Sequence, residues 1–320
     1  MDVLKSVDEF DASNGCALAV GVFDGFHLGH ARVAKVAIEA ARELGVRPCV
    51  MTFRPHPRTV LGDSQLDLVI SVEHRLRFLE RAGIKATLLI EFTPAFARTS
   101  AQTFVRDIAR DALGARAIIL GADARIGADR DADAEGVTRI AAEHGINAYI
   151  VEPVLVDGEP ASSTRVRSAV HDGDLDLARR LLGRHVSVLG TVVHGQGIGR
   201  RLGYPTANLD IHREVRPPFG VYATWAHTEG KRLMSVTNVG YRPTFTDGES
   251  PERGGRRPDR LVEAHLLEPP ETDYYDKDME LEFAKKLRDE RRFGTDAELS
   301  TQIARDVEDA RAALAEDASA

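Results

Sequence analysis

Residues 16–45 read C-A-L-A-V-G-V-F-D-G-F-H-L-G-H-A-R-V-A-K-V-A-I-E-A-A-R-E-L-G, and this stretch decides the fold of the first half of the chain. Cys16–Phe23 is a short continuous apolar run, the pattern of a strand buried on both faces. Val33, Val36, Ala37, Ala40, Ala41 and Leu44 then recur at the i, i+3, i+4 spacing of an amphipathic helix, and Gly45 supplies its stop. Working outward, further strands read at Pro48–Phe53, Ala86–Ile90, Ala117–Leu120 and Ala148–Val151, with helical patterns near 72–83, 100–113 and 134–144. Repeated βα units of this kind predict a doubly wound parallel sheet. Such sheets bind ligands outside the carboxyl ends of their strands, where Asp24–His30 falls.

The pattern changes near 185. Val186, Val188, Gly190, Val192 and His194 alternate as a strand does. Strand-like runs recur at Gly220–His227, Arg232–Asn238, Leu261–Leu267 and Met279–Phe283, with Gly and Pro turns between them. This half reads as an antiparallel barrel or sandwich. A last helix opens on a capping box of Thr295 and Glu298. Its apolar stripe is Leu299, Ile303, Val307, Ala310 and Leu314, and its tail is expected to fray after Glu316. Two domains, 1–185 and 186–320, follow, joined by a short connection near 184–187.

Composition narrows the partners. The 320 residues are 43% hydrophobic and 29% charged, with a net charge of −8. The balance disfavours a nonspecific nucleic-acid binder or a polybasic membrane anchor, and the basic run at 253–260 reads as an exposed loop. Cys16 and Cys49 are too few for a disulfide framework or a cysteine zinc site and read as buried thiols. Without an apolar signal region or a stretch of about 20 apolar residues, a cytoplasmic protein is expected.

Two segments carry chemistry. In the first, His27 and His30 lie three apart where a strand meets a helix, so both imidazoles face one way. Gly29 lets a phosphate approach the backbone of a helix N-terminus. The same residues would also serve as a helix cap and a surface histidine. Thr52-Phe53-Arg54-Pro55-His56-Pro57 follows the second strand toward the same end of the sheet, and Ser162–Arg167 offers hydroxyls and guanidinium groups. In the second, Gly195, Gly197, Gly199 and Gly203 punctuate a loop running into Pro205-Thr206-Ala207-Asn208. No G-x-x-x-x-G-K-[ST] phosphate loop is present. A Thr hydroxyl and an Asn carbonyl are hard oxygen ligands suited to magnesium that already carries ATP oxygens. Phosphorylating an alcohol also needs a base near that hydroxyl. Glu263 shares one strand face with His265, opposite Val262 and Ala264, which fits a polar pocket or a wet sheet face equally.

The ordered set G-V-F-D-G-F-H-L-G-H, F-R-P-H-P and S-S-T-R-V-R resembles the nucleotidyltransferase half of bacterial bifunctional riboflavin kinase/FAD synthetases. Gly190–Gly195 through Leu209, Pro218–Ala223, Asn238–Phe245, Val262–Leu267 and Leu287–Glu290 with Phe293 resemble the riboflavin kinase half. The resemblance implies a small six-stranded barrel with a C-terminal helix for the second domain. It implies two Mg²⁺-dependent reactions: riboflavin and ATP giving FMN, then FMN and a second ATP giving FAD and pyrophosphate. By the resemblance, His27 and His30 act on ATP phosphates, with Gly21, Asp24, Gly29, Asp123, Ser163, Thr164 and Arg167 in the same ATP site. Gly195, Gly197, Gly199, Arg200 and Gly203 border the other ATP. Thr206 and Asn208 hold the metal, and Glu263 is the base. His56, Pro57, Tyr222 and Arg288 fall at flavin-binding positions. Oligomeric state is not legible.

The chain departs from the family in places. The family motif G-x-D/N-F-x-F-G stands here as Gly121-Ala122-Asp123-Ala124-Arg125-Ile126-Gly127, without either aromatic. Leu61 replaces another aromatic, Asp273-Tyr274-Tyr275-Asp276 replaces D-L-Y-G, and 247–260 looks inserted. Flavin rings gain affinity by stacking on aromatic faces. The departures therefore raise an alternative, a riboflavin kinase whose first domain is regulatory or acts on something other than FMN.

Overall fold

The computed structural model describes residues 1–63, 66–195, 198–212, 214–241, 260–269 and 274–319. The run at 253–260 up to Asp259, the inserted stretch 247–259, Gly197 and Asp273 lie outside them. The chain divides into two compact units, Met1–Val166 with Leu181–Gly183, and Arg167–Arg180 with Arg184–Ala320.

The first unit is built on six parallel strands, β1 (Asp2–Leu4), β2 (Cys16–Val20), β3 (Arg47–Arg54), β4 (Ala86–Glu91), β5 (Ala115–Gly121) and β6 (Asn147–Val151). Their order is β1-β4-β3-β2-β5-β6. From β2 the chain winds one way through β3 and β4 and the other way through β5 and β6, so the switch point of the doubly wound sheet lies beside β2. Cys16, Ala17, Leu18 and Ala19 are fully buried, which explains the unbroken apolar run. The expected strand to Phe23 stops at Val20 because the chain turns: Phe23, Gly25 and Phe26 have φ of 56°, 86° and 41°. A Cβ on Gly25 would also press on Val69 at 3.0 Å. The helix Leu28–Leu44 follows, ending on left-handed Gly45 as expected. Near 104–112 the helix widens into a π-helix, Phe104–Ala112. After β6 comes a small hairpin, β7 (Leu155–Val156) and β8 (Glu159–Pro160), then the helices Ser163–Asp172 and Leu175–Leu182. Edge strand β1 and this hairpin are too short for a periodic signal.

Cys16 and Cys49 are both free and fully buried, as the apolar runs around them indicated. A hydrogen bond with Cys49 and then burial push the Cys16 thiol far above its usual range.

The second unit holds β9 (Val186–Val193), β10 (Ala207–Ile211), β11 (Gly220–Thr228), β12 (Lys231–Tyr241), β13 (Arg260–Leu266) and β14 (Asp278–Arg288). They close a barrel in the order β10-β13-β12-β11-β14-β9, every pairing antiparallel. The barrel wins over the sandwich because β10, absent from the strand-like runs of the sequence, pairs with both β9 and β13 and closes the ring. Val188, Ala207, Val262, Ala264 and Leu281 are fully buried. A hydroxyl cluster is buried too, with Thr224 Oγ1 at 2.7 Å from Ser235 Oγ and 2.6 Å from Thr237 Oγ1.

The helix Asp296–Ala318 packs Ala310, Ala313 and Leu314 against Val221, Ala223, Trp225 and Val236 on the barrel wall. Burying a leucine such as Leu314 contributes about 2 kcal/mol. Thr295 caps the helix through the Glu298 amide, while the Glu298 carboxylate accepts from the Gly294 amide. The expected fraying after Glu316 is not what the structure holds. Asp317 accepts from Trp225 Nε1 at 2.9 Å and lies 2.8 Å from His185 Nε2, which anchors the last turn.

Candidate active sites

In the first unit the helix N-terminus beside the switch point carries the paired histidines. Their rings stack with centroids 3.8 Å apart, and Phe23 leans on His30 at 5.2 Å. His27 is the N-cap residue yet makes no side-chain cap bond, so the capping role that the spacing also allowed is not the one it plays. Gly29 gives the His27 ring its place: a Cβ there would sit 3.0 Å from His27 Cε1. Burial first, then the neighbouring His27 and the Arg75 guanidinium, hold the His30 imidazole well below the usual histidine range. His30 is thereby kept neutral beside a helix start, an end that favours anions.

Around this pair the other expected residues divide. The buried Asp24 carboxylate accepts the Val69 and Ile70 amides at 2.9 and 3.1 Å, so it pins the loop. Ser163 Oγ donates to the Asp24 carbonyl at 2.7 Å, joining the start of the next helix to the histidine loop. Ala161 O would lie 3.7 Å from a Cβ on Gly29, at the same point. Gly21 continues β2, its amide donating to Met51 O. Thr164 and Asp123 are exposed. Arg167 is counted with the second unit. His56 caps the short helix Pro57–Val60 through Nδ1, with Pro57 in its first turn.

Ala124 and Ile126 are half-buried and pack on the first unit's core, as do Phe92 and Phe96. Phe53, Phe92 and Phe96 form an aromatic trio with centroids 5.4 to 5.9 Å apart. The trio stands at the carboxyl ends of β3 and β4. Leu61 is 68% exposed.

In the second unit, Gly195, Gly199, Thr206, Asn208, Glu263 and Arg288 line one cavity of about 370 Å³. Strand register assembles it. Asn208 faces Glu263, Glu263 faces Asn238, Asn238 faces Val221, and Val221 faces Arg288 around consecutive strands. With Val262, Ala264 and Leu266 buried, Glu263 and His265 turn to the cavity rather than to an open wet face. The glycines are spacers: a Cβ on Gly195 would collide with the Asn208 carboxamide, and one on Gly199 would lie 3.3 Å from Thr206 Oγ1. A cradle that only glycine leaves open, next to a hydroxyl and a carboxamide oxygen, fits a hydrated magnesium ion with phosphate oxygens. Arg200 is exposed, and Gly203, with φ of 89°, turns the chain before Tyr204. Tyr222 lies buried, its hydroxyl donating to Pro218 O at 2.6 Å, and is not among the cavity's lining residues. Burial, then Asp289, pushes its phenol up to about 12.

Sequence reading gave no role to Asp306. It reaches from the C-terminal helix and holds Arg288 in a fork, with Nε–Oδ1 at 2.9 Å and Nη2–Oδ2 at 2.7 Å. The available signal was an acid within the arc of the apolar stripe, three residues after Ile303. Asn238 and Glu290 were quoted only as parts of motifs, yet both line the cavity.

A doubly wound parallel sheet with two stacked histidines at a helix start, followed by a closed barrel whose cavity gathers Thr206, Asn208 and Glu263, is the framework of a two-site nucleotide-using transferase. Residues 9–165 match the FAD synthetase family model and 182–314 the riboflavin kinase model. The chain is 35% identical over 302 residues to the bifunctional riboflavin kinase/FMN adenylyltransferase of Pseudomonas fluorescens, covering 94% of each. It is 34% identical to that of Escherichia coli K12, covering 93% of this chain and 92% of the relative. A solved structure described as a macrolide-efflux protein from Streptococcus pneumoniae superposes with a TM-score of 0.80 at 30% identity, covering 97% and 98%. This chain belongs to the bifunctional riboflavin kinase/FMN adenylyltransferase family.

Proposed function

We infer that this chain phosphorylates riboflavin to FMN with one ATP and adenylylates FMN to FAD with a second, releasing pyrophosphate. The observation that carries the reading is the single register row that brings Asn208, Glu263 and Arg288 to one cavity beside Thr206, in a chain that also stacks His27 on His30 at a helix start. The efflux description belongs to the pneumococcal structure; no helix among the described residues here is long and apolar enough to cross a membrane. Small-molecule substrates and two reduced thiols favour a cytoplasmic enzyme.

In the kinase site Glu263 takes the proton of the riboflavin 5′-hydroxyl as that oxygen attacks the γ-phosphorus of ATP, and ADP leaves. Thr206 and Asn208 would hold the magnesium ion, which when bound offsets the charge of the phosphates. Arg288, fixed by Asp306, presents its guanidinium at the flavin side. In the adenylyltransferase site the FMN phosphate attacks the α-phosphorus of ATP directly and pyrophosphate leaves. No covalent enzyme intermediate is required, so positioning and charge stabilisation carry the reaction. His27 and His30 donate to the phosphate oxygens whose charge grows.

The kinase-only alternative rested on Ala124 and Ile126. The match of residues 9–165 to the FAD synthetase family model, in a chain 35% identical to a bifunctional relative over 94% of its length, favours FMN adenylylation instead. Chromatography of products from riboflavin, excess ATP and Mg²⁺ tests the reading. FMN appearing and then converting to FAD is expected. FMN accumulating without FAD, even when FMN is supplied directly, would leave a kinase alone.

A further inference from the structure

Arg75 is 1% exposed, among the largest fully buried side chains of the protein. It lies on the helix Val72–Ala82, outside every motif that pointed to function. Its Nη1 donates to Thr52 Oγ1 at 2.9 Å and to Phe53 O at 3.2 Å. Thr52 Oγ1 in turn donates to Val22 O at 2.9 Å. One guanidinium thus holds the end of β3 directly and, through Thr52, the loop at Val22. The Val22 loop leads to His27 and His30, and the end of β3 leads to Pro55 and His56. Arg75 Nε is enclosed and has no hydrogen-bond partner. An arginine buried at such cost is not the stable choice for a core, because apolar groups of similar volume commonly do as well or better. Retaining it points to a task that needs both the charge and the fork.

We propose that Arg75 is a positioning residue for adenylyl transfer, fixing the histidine loop against the end of β3 and adding positive potential beneath the phosphate site. The proposal rests on the reading of the first unit as an FMN adenylyltransferase. Its electrostatic part is consistent with the surroundings. Burial brings the guanidinium down to about 10, while the Asp24 and Glu73 carboxylates act in the opposite direction. Arg75 also helps keep His30 neutral.

The test uses the full chain with Arg75→Met, which keeps volume and removes the charge, and Arg75→Lys, which keeps the charge and loses the fork. FAD formation from supplied FMN and FMN formation from riboflavin are followed separately. Misplacing reacting groups by about 1 Å costs on the order of 100-fold in rate. Arg75→Met is therefore expected to lose about 100-fold in kcat for FAD formation, Arg75→Lys to recover part of it, and both to phosphorylate riboflavin normally. The acid limb of kcat/KM for ATP should move to higher pH in Arg75→Met and stay in place in Arg75→Lys, a shift that a purely structural role does not produce. The charged or titratable neighbours in play are Asp24, Glu73, His27 and His30. If Arg75→Met does not fold, Thr52→Val, which removes the bridging hydroxyl alone, should still slow FAD formation about tenfold. A folded Arg75→Met or a Thr52→Val enzyme with wild-type kcat and an unmoved acid limb would overturn the proposal. A wild-type chain that makes no FAD would instead overturn the reading beneath it.

Discussion

Glu263 stands directly opposite Asn208 on one neighbouring strand and Asn238 on the other. The carboxylate is therefore flanked by two carboxamides at one level of a closed barrel, where backbone pairing fixes its height. A carboxylate placed by ladder register cannot change height without breaking strand pairs. Preorganisation of that kind is what a phosphoryl transfer without covalent chemistry depends on.

The glycine cradle gives the first prediction. Gly195→Ala drives a methyl group into the Asn208 carboxamide, and Gly199→Ala crowds Thr206. Displacing a positioned ligand by about 1 Å costs on the order of 100-fold. Riboflavin phosphorylation should fall by about that factor, with FAD formation from FMN unchanged, as separate assays of the two steps will read.

Gly29→Ala should do the reverse. Its methyl group would crowd the His27 ring at 3.0 Å, so FAD formation should drop about tenfold or more while riboflavin kinase activity stays at the wild-type level. Equal losses in both assays would contradict a site confined to the first unit.

Breaking the Arg288–Asp306 fork tests the helix anchor. Asp306 is 2% exposed and holds Arg288 by both oxygens. Asp306→Ala leaves a partly buried guanidinium without its counter-charge, worth about 3 kcal/mol. Urea unfolding followed by Trp225 fluorescence, the chain's one tryptophan, should show that loss, and the KM for riboflavin should rise with it.

The pH dependence follows from His30. Its folded-state affinity for protons is depressed, so below about pH 6.5 the unfolded chain binds a proton that the native state does not. Stability contributed by the neutral form is present above that value and is lost as pH falls, by at most about 1.4 kcal/mol per pH unit for one group. Urea unfolding by circular dichroism at pH 7.5 and 5.5 should show a steeper loss for the wild type than for His30→Gln.

Much of this was legible in the sequence, for identifiable reasons. Long periodic segments such as Leu28–Leu44 and β11 announce themselves because one face of each must be buried. That His27 meets His30 was legible from their spacing of three at a helix start, and the structure also brings Thr206, Asn208 and Glu263, singled out by residue type, to one cavity. What stayed hidden depends on distant chain. β10 was not recognised as a strand: it is five residues long and its pairing with β13 is non-local. The bonds from Asp24 to the Val69 and Ile70 amides and from Ser163 to the Asp24 carbonyl join segments far apart in sequence and so could not be read from it. Asp306 and Arg75 look like ordinary helix charges until the fold buries them. Asp317 seemed bound to fray because Trp225 and His185, which hold it, lie far away in sequence.

The most direct test of two separate sites in one chain is Glu263→Gln, which keeps the shape of the side chain and removes its basicity. The account predicts that this enzyme makes no FMN from riboflavin yet converts supplied FMN to FAD at the wild-type rate. Full riboflavin phosphorylation by Glu263→Gln, or loss of both steps together, would contradict it.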